Sequence, residues 1–216
     1  MKKILLSFIA LAVMTFLPFS AAMAQKHTTY TVKCGKSTSS LEFIAGKAGS
    51  ETHLEIIIGT QHAEHVMDSN LETVSWHVYD KAVDTDYIVT REGGFYLIKG
   101  KFKGKVHDDK VKDEGYPWYQ HIGYVEGRIL KPGEKRTFVC VRPTDLKVFA
   151  MTAEITGTEA IGDYKDATCV KVCPAGALAK FWKSRYYFDP QTLEFVGYRA
   201  VEGGPGTPES FWFLDK

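Results

Sequence analysis

FWKSRYYFDPQTLEFVGYRAVEGGPGTPESFWFL, residues 181–214, is the stretch whose reading decides the fold. It parses as strand, tight turn, strand, Gly/Pro loop, strand. Asp189-Pro190-Gln191-Thr192 is turn chemistry, since Asp caps its own backbone and Pro190 presets φ at the second turn position. The flanking runs, 180–188 and 193–200, are rich in aromatic and β-branched residues and have the usual strand length. Residues 202–208, EGGPGTP, suit neither a helix nor a central strand, because proline lacks a donor and glycine favours irregular backbone. The chain then returns through Phe211-Trp212-Phe213-Leu214. The C-terminal end therefore reads as a three-stranded antiparallel meander with a heavy aromatic load.

The same period of two runs through the rest of the chain. Residues 28–34, 40–44 and 53–59 are β-type runs, and 73–79 alternates Val74, Trp76 and Val78 against polar neighbours. Runs 84–91 and 95–105 flank Glu92-Gly93-Gly94, a hairpin turn. Run 136–142 follows Lys131-Pro132-Gly133-Glu134, where Pro then Gly fits a type II turn. Residues 146–157 and 166–173 are two further candidates. About eleven strand-like runs at this spacing predict an all-β fold, a single antiparallel, strongly curved sheet or open barrel with few short helices. Parallel strands are excluded, because their crossovers take a dozen or more residues. Residues 111–130 lack strict alternation and carry Gly123 and Gly127, so they read either as a short helix or as a long aromatic loop.

The first 24 residues answer a different question. Lys2-Lys3 precede an apolar run, 4–19, and Ala22-Met23-Ala24 fits the small-x-small rule for cleavage before Gln25. The run is shorter than the roughly 20 residues of a spanning helix and ends near Pro18. Residues 1–24 are thus read as a cleaved signal peptide and 25–216 as one domain, periplasmic or alternatively extracellular, with no transmembrane span in the mature chain. Without Lys2 and Lys3 the formal charge of +1 becomes −1, which argues against a nucleic-acid binder, whose affinity comes from phosphate neutralisation. A hydrophobic content of 44% is that of a folded chain.

Cys34, Cys140, Cys169 and Cys173 form an even set, and in an oxidising compartment they are disulfide candidates with the pairing open. Cys169 and Cys173 are not expected to pair with each other. Four residues of strand hold them about 13 Å apart, beyond disulfide reach.

No catalytic constellation is recognisable, whether a nucleophile elbow or a phosphate-cradling glycine loop, and no cofactor is implied. A Cys140–His121 nucleophile–base pair is conceivable, but a disulfide accounts better for Cys140. His62-Ala63-Glu64-His65 is the best metal candidate and is weak, so no metal site is expected. Asp80, Asp84 and Asp86 miss the calcium-loop spacing. Trp76, Trp118, Trp182, Tyr186 and Trp212 are candidate walls of an apolar pocket, although aromatics at strand positions are more often core. Lys99, Lys101, Lys103 and Lys105 recur at period two and are expected to line one face of one strand, as a ridge for a headgroup or as protection of a sheet edge.

Across residues 130–214, the order of a Pro-Gly-Glu turn, Trp-x-Ser-x-Tyr-Tyr-Phe-Asp-Pro, Leu-x-x-x-Gly-Tyr and Gly-Gly-Pro-Gly-Thr-Pro resembles a family of exported bacterial proteins of unknown function. That family is related to the curved-sheet carriers of the LolA type, which hold lipoprotein acyl chains. The resemblance implies a curved sheet and an envelope setting, and it supplies no active site. The resulting expectation is a non-catalytic periplasmic protein that binds an amphiphile through the inner sheet face, with the lysine ridge alongside. The alternative is an interaction or assembly factor using the same face against an envelope protein or a second copy of itself.

Overall fold

The structure is a computed structural model that describes residues 25–180, 182–201 and 207–215. The expected signal peptide and the loop at 202–206 lie outside the described residues. One sheet of fourteen antiparallel strands makes up the fold. The first eight strands are β1 (Lys26–Cys34), β2 (Ser37–Ala48), β3 (Glu51–Ile58), β4 (Gln61–Met67), β5 (Thr73–Asp80), β6 (Thr85–Glu92), β7 (Phe95–Phe102) and β8 (Lys105–Lys112). A helix, α1 (Ile122–Ile129), follows. The remaining strands are β9 (Lys135–Val141), β10 (Val148–Ile161), β11 (Tyr164–Pro174), β12 (Ser184–Phe188), β13 (Phe195–Val201) and β14 (Glu209–Leu214).

The spatial order is β8-β7-β6-β5-β4-β3-β2-β1-β14-β13-β12-β11-β10-β9. Two hairpin-linked meanders are joined at the middle, where β1 pairs with β14 from Tyr30↔Leu214 to Cys34↔Ser210. The strands at the two outer edges, β8 and β9, are consecutive in sequence, so the segment between them must travel from one edge of the sheet to the other. It does so along the inner face.

The turns are set locally. Gly93 and Gly94, at φ +56° and +80°, make the two-residue reversal between β6 and β7 that only positive φ allows. Gly133, at φ +79°, completes the type II turn in which the Glu134 amide donates to the Lys131 carbonyl at 2.9 Å. The Asp189 carboxylate accepts the amides of Gln191 and Thr192 at 2.8 and 2.9 Å, closing β12 onto β13.

Alternation fills the inner face. Leu54 and Ile56, Trp76 and Val78, Tyr87 and Val89, and Tyr96 and Ile98 point inward from successive strands and are buried. Helix α1 closes the opposite side of this core through Ile122 and Val125, with Leu130 just past its end. It rests near β12 and β13 through Gly127, where even a methyl group would collide with the Phe188 ring.

The sheet is not closed by pairing of β8 with β9. Instead residues 117–120 lie along β9: the Val139 amide donates to the Pro117 carbonyl (2.8 Å) and the Tyr119 amide to the Val139 carbonyl (3.0 Å). The same four residues dock on the start of β5, where the Thr73 amide donates to the Trp118 carbonyl (2.7 Å). Gln120 completes the seam, its side chain bonding both the amide and the carbonyl of Val141. One edge is thereby covered. The other, β8, is protected by charge, because Lys105, Asp108, Asp109, Lys110 and Lys112 make it a poor template for an added strand.

Candidate functional site

The sequence candidates separate into groups that do not meet. Trp76 and Trp118 are core, 3% and 0% exposed. The Trp118 indole donates to Gln120 Oε1 at 3.0 Å, so its role is to hold the seam described above. Trp182, Tyr186 and Trp212 are partly buried against the same core. Tyr198 links two of them, with ring centroids 4.9 Å from Tyr186 and 4.5 Å from Trp212. These rings form the inner aromatic wall next to α1.

The lysine ridge is corrected. Lys99 and Lys101 belong to β7, but Lys103 sits in the turn at φ +49° and Lys105 begins β8. A hairpin reverses the chain where a continuous strand was expected, because Gly104, at φ +76°, accepts the turn conformation. Lys101 pairs with Asp84 at 3.2 Å, and Lys99 lies opposite Asp108. The lysines belong to the β1–β8 half of the sheet, whereas Trp182, Tyr186 and Trp212 belong to the other half.

The cysteines are also corrected: all four are free. Register explains this. Cys34 faces Ser37 and Ser210, Cys140 faces Phe149, Cys169 faces Gly157 and Tyr187, and Cys173 faces Thr152. None stands opposite another, so no sulfur pair is aligned across a ladder.

His62 and His65 lie three apart on β4 and so project to opposite faces. His62 is outside, bonded to Glu55 at 2.8 Å, while His65 is buried inside. Among the described residues no cluster of three His, Cys, Asp or Glu is placed to hold a metal ion. Asp80, Asp84 and Asp86 are engaged separately, by the Ala82 amide, by Lys101 and by His77.

Inside the core, the His65 ring lies 5.6 Å from the His121 ring, and Phe43 meets His121 edge-on at 4.7 Å. Burial holds both imidazoles neutral, pushing His121 down to about 3. His121 Nδ1 accepts the Tyr124 amide at 3.1 Å and so serves the first turn of α1. Burial raises the Cys140 thiol to about 12. A thiol held protonated and a base engaged in a helix cap do not make a nucleophile–base pair.

Two concavities stand out among the described residues. One, of about 40 Å³, opens beside α1 between Tyr30, Phe43, Tyr124, Arg128 and Phe195, next to the Lys26–Glu194 ion pair. It has room for no more than about three water molecules.

The other is a groove of about 430 Å³ on the outer face, within the size range of ligand sites. Bulges at Ile155/Gly157 and Glu159/Ile161 bend the β10–β11 hairpin. Its tip, Ile161-Gly162, comes to rest on Gly197 and beside Phe213. Under the tip lies a second small core of Ile161, Ala167, Cys169, Tyr187 and Val196. Next to it the outward side chains of three paired strands form a floor: Lys33 of β1, Phe211 and Phe213 of β14, and Arg199 of β13, with Lys33↔Phe211 and Arg199↔Phe211 in register.

The charges of this groove are unequal. Arg199 grips Glu209 with two bonds, 2.7 and 3.0 Å, while stacking 5.2 Å from the Phe211 centroid. Glu159 accepts the Tyr187 hydroxyl at 3.0 Å and faces Arg185 at 3.5 Å. Lys33 is exposed, with its ammonium 4.9 Å from the Phe213 centroid, and it makes no ion pair among the described residues. Sequence reading missed this site. The available signal was Phe211-Trp212-Phe213, because a strand with large aromatics on both faces needs something to cover each of them.

The fold has a counterpart among solved structures. A crystal structure of a β-barrel-like protein of the domain of unknown function DUF1849, from Brucella abortus, superposes with a TM-score of 0.57 at 12% identity, covering 89% of this chain and 96% of that one. At that identity the likeness establishes the fold alone: a barrel-like, all-β domain. No family model matches the chain, and neither does any curated protein.

Proposed function

We propose that the protein is a non-catalytic binding protein of the bacterial cell envelope, and that it holds an amphiphilic, lipid-like ligand in the outer groove. The observation that carries this reading is the groove itself, about 430 Å³ with a floor of Phe211 and Phe213, a wall of Ile161, and Lys33 and Arg199 at its margin. A site with apolar area and a few placed polar groups is the ordinary form of a small-molecule site. The inner face, expected to bind, is filled by Trp76, Trp118, Tyr87, Tyr96 and Phe188 and is covered by α1. The envelope setting rests on residues 1–24 read as an export signal, and on the resemblance of residues 130–214 to a family of exported bacterial proteins of unknown function. The non-catalytic part rests on the buried, neutral state of His65 and His121 and the protonated thiol of Cys140.

Native mass spectrometry of protein isolated gently from its host tests the reading. A co-purifying lipid that is lost on changing Phe211 and Phe213 to Ser is the expected result. A homodimer or a defined protein partner in place of lipid, released by the same change, would assign the face to assembly instead.

A further inference from the structure

Resting on that reading, we infer that the groove selects its ligand by charge: the occupant is a single-chain amphiphile with one negative charge, a long-chain carboxylate, whose head is met by Lys33. The groove offers two cations, but Arg199 is already neutralised by its two bonds to Glu209. Glu159, near the hairpin tip, is taken by Tyr187 and Arg185. Of these two, Lys33 has no ion-pair partner among the described residues, so the site complements one anionic group rather than several. Its ammonium is held against the wall by the Phe213 ring, a cation–π contact that leaves its donors free for a carboxylate.

The apolar part is equally restrictive. Ile161 and Gly162 close one side over Phe213, while Phe211 continues the floor beneath Arg199. An open groove of about 430 Å³, bounded on one side by a hairpin tip, has room for one chain and not for a bilayer surface, which would need a broad exposed apolar face or a field of lysines. A carboxylic acid of ordinary pKa is ionised at neutral pH, so a long-chain carboxylate presents the single charge that Lys33 lacks.

Calorimetric titration of the exported chain with three twelve-carbon probes below their micelle concentrations separates the possibilities: dodecanoate, dodecyl maltoside and dodecyltrimethylammonium. Dodecanoate is expected to bind most tightly. Lys33→Gln, an exposed change checked for unaltered melting, weakens dodecanoate about fivefold, as for one solvent-accessible ion pair, and leaves dodecyl maltoside unchanged. Lys33→Glu shifts the preference toward dodecyltrimethylammonium, and Lys33→Arg retains dodecanoate. Equal binding of all three probes, unaffected by Lys33→Gln, overturns charge selection while leaving an amphiphile groove in place. If none of the three binds, the groove reading itself falls, and this inference with it.

Discussion

Gly197 lies directly beneath Ile161: a Cβ at position 197 would stand 2.6 Å from Ile161 Cγ1 and 2.9 Å from the Trp212 carbonyl oxygen. The missing side chain is what lets the β10–β11 hairpin fold onto the outer face and wall the groove. Because one of the two obstacles is backbone, the contact cannot relax by a rotamer change. Gly197→Ala is therefore expected to cost about 1–3 kcal/mol, the usual range for overpacking. Urea unfolding measures the loss. Hydrogen exchange should show faster exchange at Ile161 and Gly162, and unchanged protection there would mean that the tip does not depend on this contact.

Gly127 poses a conflict between propensity and packing. In a helix interior alanine is worth about 1 kcal/mol more than glycine. Here, however, the new Cβ would lie 2.2 Å from Cδ1 of Phe188, a fully buried ring with no room to withdraw. Packing decides the sign. Gly127→Ala is expected to destabilise the protein by about 1–2 kcal/mol net in urea unfolding.

Acid should weaken the fold well before the carboxylates titrate. His65 and His121 are both depressed by burial, His121 to about 3, from an unfolded value near 6.5. Above pH 6.5 the rings are neutral in both states and stability does not depend on them. As pH falls from 6.5 toward 3, the unfolded chain takes up protons that the folded chain refuses, at up to about 1.4 kcal/mol per pH unit per ring. Arg128 and the neighbouring imidazole oppose protonation further. His77 works the other way: its contacts with Glu64 and Asp86 raise it, so its pairing is lost as pH rises and offsets part of the trend on the acid side. Urea midpoints at pH 7 and pH 5 should differ accordingly, and His65→Leu should flatten the difference. An equal slope in the variant would remove His65 from this account.

The thiols should differ sharply in reactivity. Cys34 is exposed, whereas burial pushes Cys140 up to about 12 and raises Cys169 as well. Maleimide added to the native protein is expected to label Cys34 within minutes and the other three only in denaturant, since packing shields Cys173 and the raised thiols of Cys140 and Cys169 yield little of the reacting thiolate. Non-reduced peptide mapping should find no bridge within the chain. A Cys140–Cys173 linkage would require β9 and β11 to meet across β10, contrary to the sheet order.

Much of the architecture is legible in the amino-acid sequence, for a local reason. Turn type is decided by two or three adjacent residues, so Glu92-Gly93-Gly94, Pro132-Gly133 and Asp189-Pro190 can be read directly. Strands with one buried face declare themselves by alternation, as 73–79 does. Strands that fail to declare themselves are polar: Gln61–Met67 resembles a ligand-bearing loop, and Lys105–Lys112, charged on both faces, begins only where the expected run 95–105 ends. Each is extended because its neighbours supply hydrogen-bond partners, a fact held by other parts of the chain.

What the residues settled by themselves was an antiparallel all-β chain with the reversals at Gly93-Gly94, Pro132-Gly133 and Asp189-Pro190 in place, but not the one at Lys103-Gly104. Helix α1 stayed open between helix and loop, because Gly123 and Gly127 lower propensity and only the rings of Phe188 and Phe195 pressed against them justify their presence. The tertiary structure alone decided the sheet order, the cover of β9 by residues 117–120, the separation of the cysteines, and the meeting of Lys33 with Phe213. Those depend on strand pairs such as Tyr30↔Leu214, between residues almost the whole described chain apart. Periodicity assigns a residue to a face of its own strand; which strand lies next to it is chosen by burial and hydrogen bonding summed over the entire sheet.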